Sequence, residues 1–443
     1  MNKRKAVLFL FIIFAILAYS QFNGSAVDAS GLPDARHING DTLANIPPVN
    51  DAIKSFQNRI KQNPKDAVSY TLLGELYVRQ ARETGDVSGY QRAEMALNEA
   101  ISLLPNYAPA GASLASVHYA QHDFDRALDL AEQVYEGNPN NTSALVIMGD
   151  AHLSLGNYQQ AEAIYLELEQ MNATSPVLAR LANLEELKGN PEEALHLIRR
   201  AAGDALHSGG TRESVAWYLL RVGDMYFNMG KIKESGAYYE ASLRVFDNYH
   251  LALAGLGKVR AAQGKYKDAI EYYQQAVNIV PQPDFLAALG DIYMVTGQPD
   301  KAQTQYEMVE FIGKLAALDQ QIYNRQLANY YSDHDVHLME ALHLTLTELE
   351  SRKDIYGYDA AAWAEYKNGN FEEAQTLMDQ ALALGTRDAL LFYHAGMIAY
   401  RLGENAQAQE YLEQALKINP HFSILYSDEA RQTLDGLQVQ GDH

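Results

Sequence analysis

The chain of 443 residues contains no cysteine. That absence excludes a disulfide framework, a thiolate metal site and an anchor through a lipid-modified cysteine. Positive charge is also short, with 35 Lys and Arg against 56 Asp and Glu, a formal charge of −21 and a pI near 5.0. Nucleic-acid backbones are held by clustered Lys and Arg that neutralise phosphates, so no nucleic acid is expected as a partner. No serine nucleophile elbow, phosphate loop, HExxH helix or glycosidase-like carboxylate pair stands out, and no run of strands can be read. The chain is not expected to be an enzyme, and no cofactor is expected.

What is present is a repeated unit, clearest from His250 to Pro281. Leu253, Leu256 and Gly257 fall on one helical face, and Gly264 supplies a residue able to end the helix with positive φ. After the turn at Lys265 and Tyr266, a second stripe follows in Ala269, Ile270, Tyr273, Ala276 and Val277, and Pro281 stops it for want of an N–H. Gly257 and Ala269, almost without side chains, are expected to let the two backbones approach closely, with Tyr273 filling the wider gap. Such a hairpin cannot bury enough surface to offset the entropy of ordering its residues, so it needs neighbours.

The small first-helix residue recurs as Gly74, Ala115, Gly149, Ala182, Gly223, Gly257, Gly290, Ala328, Ala362 and Gly396, at separations of 33 or 34 residues broken by two of 41 and one of 38. Ten hairpins follow from that count. A second small residue lies twelve positions on in most copies (Ala127, Ala161, Ala194, Ser235, Ala269, Ala302, Ala374, Ala408), and a helix-ending glycine lies seven on (Gly156, Gly189, Gly230, Gly264, Gly297, Gly369, Gly403). The unit resembles the tetratricopeptide repeat, with Leu253, Leu256-Gly257, Ala269, Tyr273, Ala276 and Pro281 in its pattern and Arg260 where that family usually has Tyr. The resemblance implies an all-α solenoid, a right-handed superhelix of stacked antiparallel helix pairs. It covers residues 49–421, with AIKSFQNRIKQNP as a half-repeat in front and residues 422–443 as a closing helix with Leu425, Ala430 and Leu434 inward, then a disordered polar tail from Gln438. An elongated row of pairs is expected rather than a globe.

The long separations are insertions, after Tyr77 and after Ala202, and the turn of the eighth repeat carries one extra residue so that Ala341 holds its small slot. Insertions in solenoids map to loops, often on the binding edge.

Residues 1–29 differ from the rest. Lys3, Arg4 and Lys5 precede the apolar run AVLFLFIIFAILAY, whose length suits a signal peptide with cleavage near Ser20 or Ala29; an uncleaved N-terminal anchor is the alternative. Either places the repeats outside the cytoplasm, in a bacterial periplasm or cell envelope. Residues 30–48, with Pro33, Pro47, Pro48 and no period, read as a linker.

Two constellations could hold a metal. His118 and His122 with Asp123 have helical spacing, but His118 fills the slot held by Tyr77, Tyr226 and Tyr293, which makes it a core ring. The weak candidate is the crowded turn of Asp333, His334, Asp335 and His337. The resemblance directs attention instead to the concave surface, which in tetratricopeptide proteins is lined by first-helix residues off the core face. By phase these are Arg180, Asn183, Trp217, Arg221, Asp224, Phe227, Arg325, Gln326, Asn329, Tyr393, His394 and Tyr400, residue types that carry binding energy in interfaces. Val68, Leu72 and Ser113 stand where the family's carboxylate clamp would need Lys and Asn, so its chaperone-tail partners are not expected. The expected function is a protein or peptide-binding scaffold of the envelope. The alternatives are a metal-dependent or hydrolytic enzyme centred on the Asp333 turn, and an assembly factor for outer-membrane or polysaccharide-export machinery.

Overall fold

The structure, a computed structural model, describes residues 30–40, 43, 48–318 and 324–441. The expected signal segment or anchor over residues 1–29 lies outside the described residues. All regular structure among the described residues is helical. An opening helix α1 (Val49–Gln62) precedes α2 (Ala67–Thr84) with α3 (Ser88–Leu103), α4 (Ala108–Ala120) with α5 (Phe124–Gly137), and α6 (Thr142–Ser154) with α7 (Tyr158–Met171). The next hairpins are α8 (Ser175–Leu187) with α9 (Pro191–His207), α10 (Arg212–Asn228) with α11 (Ile232–Val245), and α12 (His250–Ala262) with α13 (Tyr266–Ile279). The row continues through α14 (Pro283–Val295) with α15 (Pro299–Leu318), α16 (Asn324–Asp333) with α17 (Leu338–Ser351), α18 (Ile355–Asn368) with α19 (Phe371–Ala381), and α20 (Ala389–Leu402) with α21 (Asn405–Ile418). A closing helix α22 (Ser427–Gly441) follows. The ten hairpins read from the sequence are all present.

Local chemistry sets the helix starts. The side chains of Asp66, Asp123, Asn141, Thr211, Asp354 and Asp388 each accept a backbone N–H in the first turn of the helix they precede. Inside four hairpins the glycine of the first helix makes room for a tyrosine ring, at Gly149, Gly223, Gly257 and Gly290, whereas Gly74 and Gly396 face a leucine and the backbone of the second helix. A Cβ on Gly223 would lie 2.6 Å from the Tyr239 ring, and one on Gly257 2.6 Å from Tyr273. Gly257 seats the tyrosine of its own second helix, Tyr273, in the gap expected for it.

The row does not stay extended. It coils until successive turns touch, joining residues nearly two hundred positions apart. The Lys353 N–H donates to the Ser154 carbonyl at 3.0 Å, the Ile355 N–H to the Tyr158 hydroxyl at 2.9 Å, and the Asn419 side-chain amide to the Phe227 carbonyl at 2.9 Å. The buried Thr386 hydroxyl donates to the Leu187 carbonyl. An expected elongated molecule with an open groove along its length is corrected to a coil whose second turn sits on its first.

Both insertions serve this closure. The first lengthens α2 to 18 residues, which brings Arg82 to 3.9 Å from the buried Glu213 and Gly85 against the Val280 side chain. The second lengthens α9 and α10 to 17 residues each, and the ledge so formed takes the segment before α1. Leu32, Ala35, Ile38 and Leu43 are buried there in the largest core cluster. Arg244 donates to the Ile38 carbonyl at 3.0 Å and also to the Ala35 carbonyl. The described part of residues 30–48 is thus a docked strap, not the free linker expected. At the other end, Phe422 to Tyr426 form a turn and the helix starts only at Ser427, but it continues to Gly441 through part of the tail expected to be disordered. Its inward face is Ala430 and Leu437, buried, with Leu434 half-buried.

Two glycines separate the contribution of the touching turns from that of local backbone. Gly189 and Gly264 both have positive φ, +76° and +70°, but a Cβ on Gly189 would collide with the Gly385 carbonyl oxygen of the next turn, whereas one on Gly264 meets nothing within 4 Å. Gly264→Ala is expected to cost about 1 kcal/mol of left-handed strain, and Gly189→Ala that plus about 1–3 kcal/mol of overpacking. Urea unfolding of the two variants measures the difference, and equal losses would mean that the turns do not press together.

Candidate partner-binding groove

The first helices of the hairpins face the inside of the coil. On that side three of them carry an aspartate directly after the small residue, and a second-helix tyrosine fifteen positions on donates to each: Tyr165 to Asp150 at 2.8 Å, Tyr239 to Asp224 at 2.7 Å, Tyr306 to Asp291 at 2.8 Å. A basic side chain completes each clasp. Arg180 binds Asp150 with Nε at 2.7 Å and Nη2 at 2.6 Å, Arg221 bridges Asp224 at 3.1 Å and Glu186 at 3.2 Å, and the His334 ring lies 2.7 Å from Asp291.

The expected groove residues therefore divide. Arg180, Arg221, Asp224 and Arg325 are half-buried and committed to internal ion pairs, the last to Glu348 at 2.8 Å and Asp354 at 3.1 Å. Breaking such pairs leaves buried charge, which is costly. Phe227, Tyr393 and His394 are buried, a correction to their expected place on an open surface. Phe227 lies under the Lys258 ammonium at 4.1 Å, Tyr393 donates to Glu429 of α22 at 2.9 Å, and His394 stacks on Trp363 at 4.1 Å with its Nδ1 2.8 Å from Asp359. The closing helix and its preceding turn cover this region. Asn183 and Gln326 are half-buried, and Asn329 is exposed. Trp217 and Tyr400 remain accessible, at 36% and 39%.

The turn from Asp333 to His337 is also corrected. Its side chains diverge. Asp333 accepts from the Trp363 indole at 3.0 Å and the Tyr426 hydroxyl at 2.8 Å, and burial pushes its carboxyl above the usual range. His334 turns to Asp291, Asp335 pairs with Lys367 at 2.7 Å, and His337, in the left-handed region, lies 3.9 Å from Glu310. No group of three His, Asp or Glu able to hold a metal exists among the described residues.

Two clefts remain open on the inner side, the larger in the first half of the coil. A cleft of about 580 Å³ runs across α4, α6 and α8, lined by Ser113, Ser116, Thr142, Ser143 and Thr174 over an apolar floor of Val146, Ile147 and Val177. Glu75 stands at one end and receives the Ser113 hydroxyl at 2.9 Å. Arg180, already bound to Asp150, stands at the other. Sequence reasoning missed this cleft because small hydroxyl residues carry no interface signature, although Ser113 was in the right phase. Further along, a second cleft of about 520 Å³ holds Lys258, Phe227, Tyr273 and Ile292 beneath Phe422 and Ile424. Lys258 and Asp284 are both exposed on this side, the Lys258 ammonium 4.1 Å over the Phe227 ring. No helix of the described residues is long and apolar enough to cross a membrane.

Three family models described as tetratricopeptide repeat match residues 118–184, 214–282 and 360–424. Among curated proteins, cellulose synthase operon protein C of Komagataeibacter xylinus is 25% identical over 73% of this chain and 24% of its own length. The TPR repeat-containing protein YpiA of Bacillus subtilis is 21% identical over 70% of this chain and 63% of its own. The chain thus spans about a quarter of the length of the first of these relatives. Of solved structures, a tetratricopeptide repeat protein from Parabacteroides merdae is 20% identical over 56% of this chain and 92% of that one, with a TM-score of 0.43. Yeast Tom70 is 13% identical over 89% and 93%, at 0.39.

The His334 clasp makes a pH test. Burial disfavours the charged ring, but the Asp291 carboxylate and the Tyr330 carbonyl at 2.8 Å outweigh it and raise the pKa. A raised folded-state pKa stabilises most fully below the unfolded value of about 6.5 and loses that contribution as pH rises through the folded one. The stability gap between the native chain and His334→Gln is expected to shrink from pH 5.5 to 8.5 in urea unfolding; a gap widening with pH would contradict the clasp.

Proposed function

The chain is a tetratricopeptide repeat protein, and from that premise we propose that it is a non-enzymatic scaffold that holds an extended segment of a partner protein in the inner cleft of its second to fourth repeats. The single observation that carries this reading is the composition of the cleft. Hydroxyl groups of Ser113, Ser116, Thr142, Ser143 and Thr174 stand over Val146, Ile147 and Val177, and the one cation at its wall, Arg180, is already bound to Asp150. Groups that both donate and accept, arranged over an apolar floor, suit the alternating N–H and C=O of an extended main chain with small apolar side chains between. They do not suit a strongly charged partner.

The place of action follows from the N-terminus. The basic residues Lys3 to Lys5 and the apolar run after them support export, with the repeats in the periplasm or cell envelope. Similarity to cellulose synthase operon protein C supports a narrower role, in which the scaffold belongs to an assembly that makes or exports a polysaccharide.

A photo-reactive residue at Ser143 tests the cleft, with one at Glu99, exposed on the second helix α3, as the outer control. The same partner is expected in stoichiometric yield from Ser143 and Ser116 but not from Glu99. Ser116→Arg, which adds a charge to the cleft wall, is expected to weaken the captured partner about tenfold or more with an unchanged unfolding midpoint. Equal yields from Glu99 and Ser143 would defeat the reading. Protease added to spheroplasts tests the location: cleavage of the repeats without lysis is expected, and protection until lysis would place them inside.

A further inference from the structure

The seam between the two turns of the coil contains a third cleft, smaller than the other two and different in chemistry. Its volume is about 200 Å³, and three cations line it: Lys231, Arg387 and Lys417. They come from three separate elements. Lys231 is the residue before α11, Arg387 sits in the loop before α20, and Lys417 is in the last turn of α21. None of the three makes an ion pair among the described residues, and Lys231 has only the Tyr226 ring, 5.9 Å from its ammonium.

Two acids share the cleft, Glu186 and Glu192. Glu186 is already bonded to Arg221 at 3.2 Å and to the Asn228 amide at 3.1 Å, and Glu192 lies exposed in the first turn of α9. In a chain with a formal charge of −21, three exposed cations without an ion pair border one small cleft, and the acids there do not balance them, since Glu186 is committed to Arg221 and leaves Glu192 alone against three. Their positions are fixed by the seam itself. Thr386, next to Arg387, is bonded to Leu187, and Asn419, two residues after Lys417, is bonded to Phe227. A Cβ on Gly230, next to Lys231, would lie 2.7 Å from the Ile418 carbonyl oxygen. The backbone that presents the three cations is therefore preorganised.

We propose that this seam cleft binds a phosphate-type oxyanion, with the Arg387 guanidinium as the forked donor and the Lys231 and Lys417 ammonium groups as the flanking charges. Guanidinium groups match oxyanion geometry with two parallel hydrogen bonds, and ammonium groups serve as movable point charges. The volume sets the size of the ligand. Pockets for drug-sized molecules run to about 300–1,000 Å³, so this one takes a compact group such as a phosphate or diphosphate, free or carried as a lipid headgroup, and not a folded peptide. Because its walls belong to different turns, the bound anion ties the first turn of the coil to the second. The site lies outside the partner cleft, so each stands or falls alone.

The test uses the full chain, with inorganic pyrophosphate as the soluble probe and vesicles of phosphatidylglycerol, against phosphatidylcholine, as the lipid probe. Pyrophosphate is expected to titrate calorimetrically at one site per chain and to raise the unfolding midpoint, as any ligand selective for the folded state does. Arg387→Gln is expected to weaken that binding about tenfold or more, and Lys417→Gln to act in the same direction with native circular dichroism in both. Binding to phosphatidylglycerol vesicles but not to pyrophosphate, lost in the same variants, assigns the oxyanion to a lipid. The proposal is overturned if neither probe binds, if sodium chloride at matched ionic strength gives the same stabilisation, or if Arg387→Gln and Lys417→Gln bind as the native chain does.

Discussion

The structure depends on a volume rule inside each hairpin. The small residue of the first helix and the residue sixteen positions later face one another, and their sizes trade. Where the first is Gly149, Gly223, Gly257 or Gly290 the second is a tyrosine, and where it is Gly396 the second is Leu412. Where the first is Ala115, Ala182, Ala328 or Ala362 the second is Ala131, Ile198, Leu344 or Met378, none of them a ring. Protein interiors tolerate neither voids nor overlap, so in these hairpins a ring is seated only where the first-helix residue is a glycine. The hairpins stack in a row that coils back over itself, and its turns meet at Ser154 with Lys353 and at Leu187 with Thr386.

Closure then dictates the chemistry of the inner face. Side chains that would border a wide groove in an open superhelix lose water here, and a desolvated charge must be paired. The aspartates at 150, 224 and 291 accordingly each hold a tyrosine hydroxyl and a basic side chain. The fourth and sixth repeats lack the aspartate. The fourth has Asn183 in the slot, and the sixth has Lys258, which rests its ammonium on the Phe227 ring. That substitution is why the middle of the inner face keeps a cleft while the clasps on either side are filled.

How much of this was legible follows from the range of each interaction. The repeats could be counted because three registers of small residues and glycines lie within twenty residues of one another, and helical spacing is a local property. The closure could not, because Ser154 and Lys353, or Leu187 and Thr386, have no relation in sequence; they meet through the summed rotation of the repeats between them. Tyr393 and His394 were consequently assigned to an open surface although α22 and the turn before it cover them. The strap from Leu32 to Leu43 was read as a spacer because aperiodic apolar residues give no helix or strand signal, and its partner Arg244 lies in another repeat. The turn at Asp333 failed for the opposite reason. Four potential ligands adjacent in sequence were taken as adjacent in space, but left-handed residues at Asp335 and His337 splay them toward different neighbours.

The two halves of the coil also bear on recognition. The open cleft is walled by α6 and α8, and the last residues of both are tied to the turn above: Ser154 accepts from Lys353, and Leu187 accepts from Thr386. In a free-standing pair of repeats these helix ends would fray, and a partner would have to order them on binding. Here the order is already present, so less of the contact energy is lost to immobilising the site. The insertions make the same point from a different direction. Long loops in solenoids are usually taken as binding edges, yet in this chain one lengthens α2 toward Glu213 and the other builds the ledge under the strap. Both rigidify the coil around a short stretch of plain, hydroxyl-lined helix. Recognition is thereby concentrated where the sequence is least conspicuous, and the conspicuous aromatic and arginine residues hold that stretch in place.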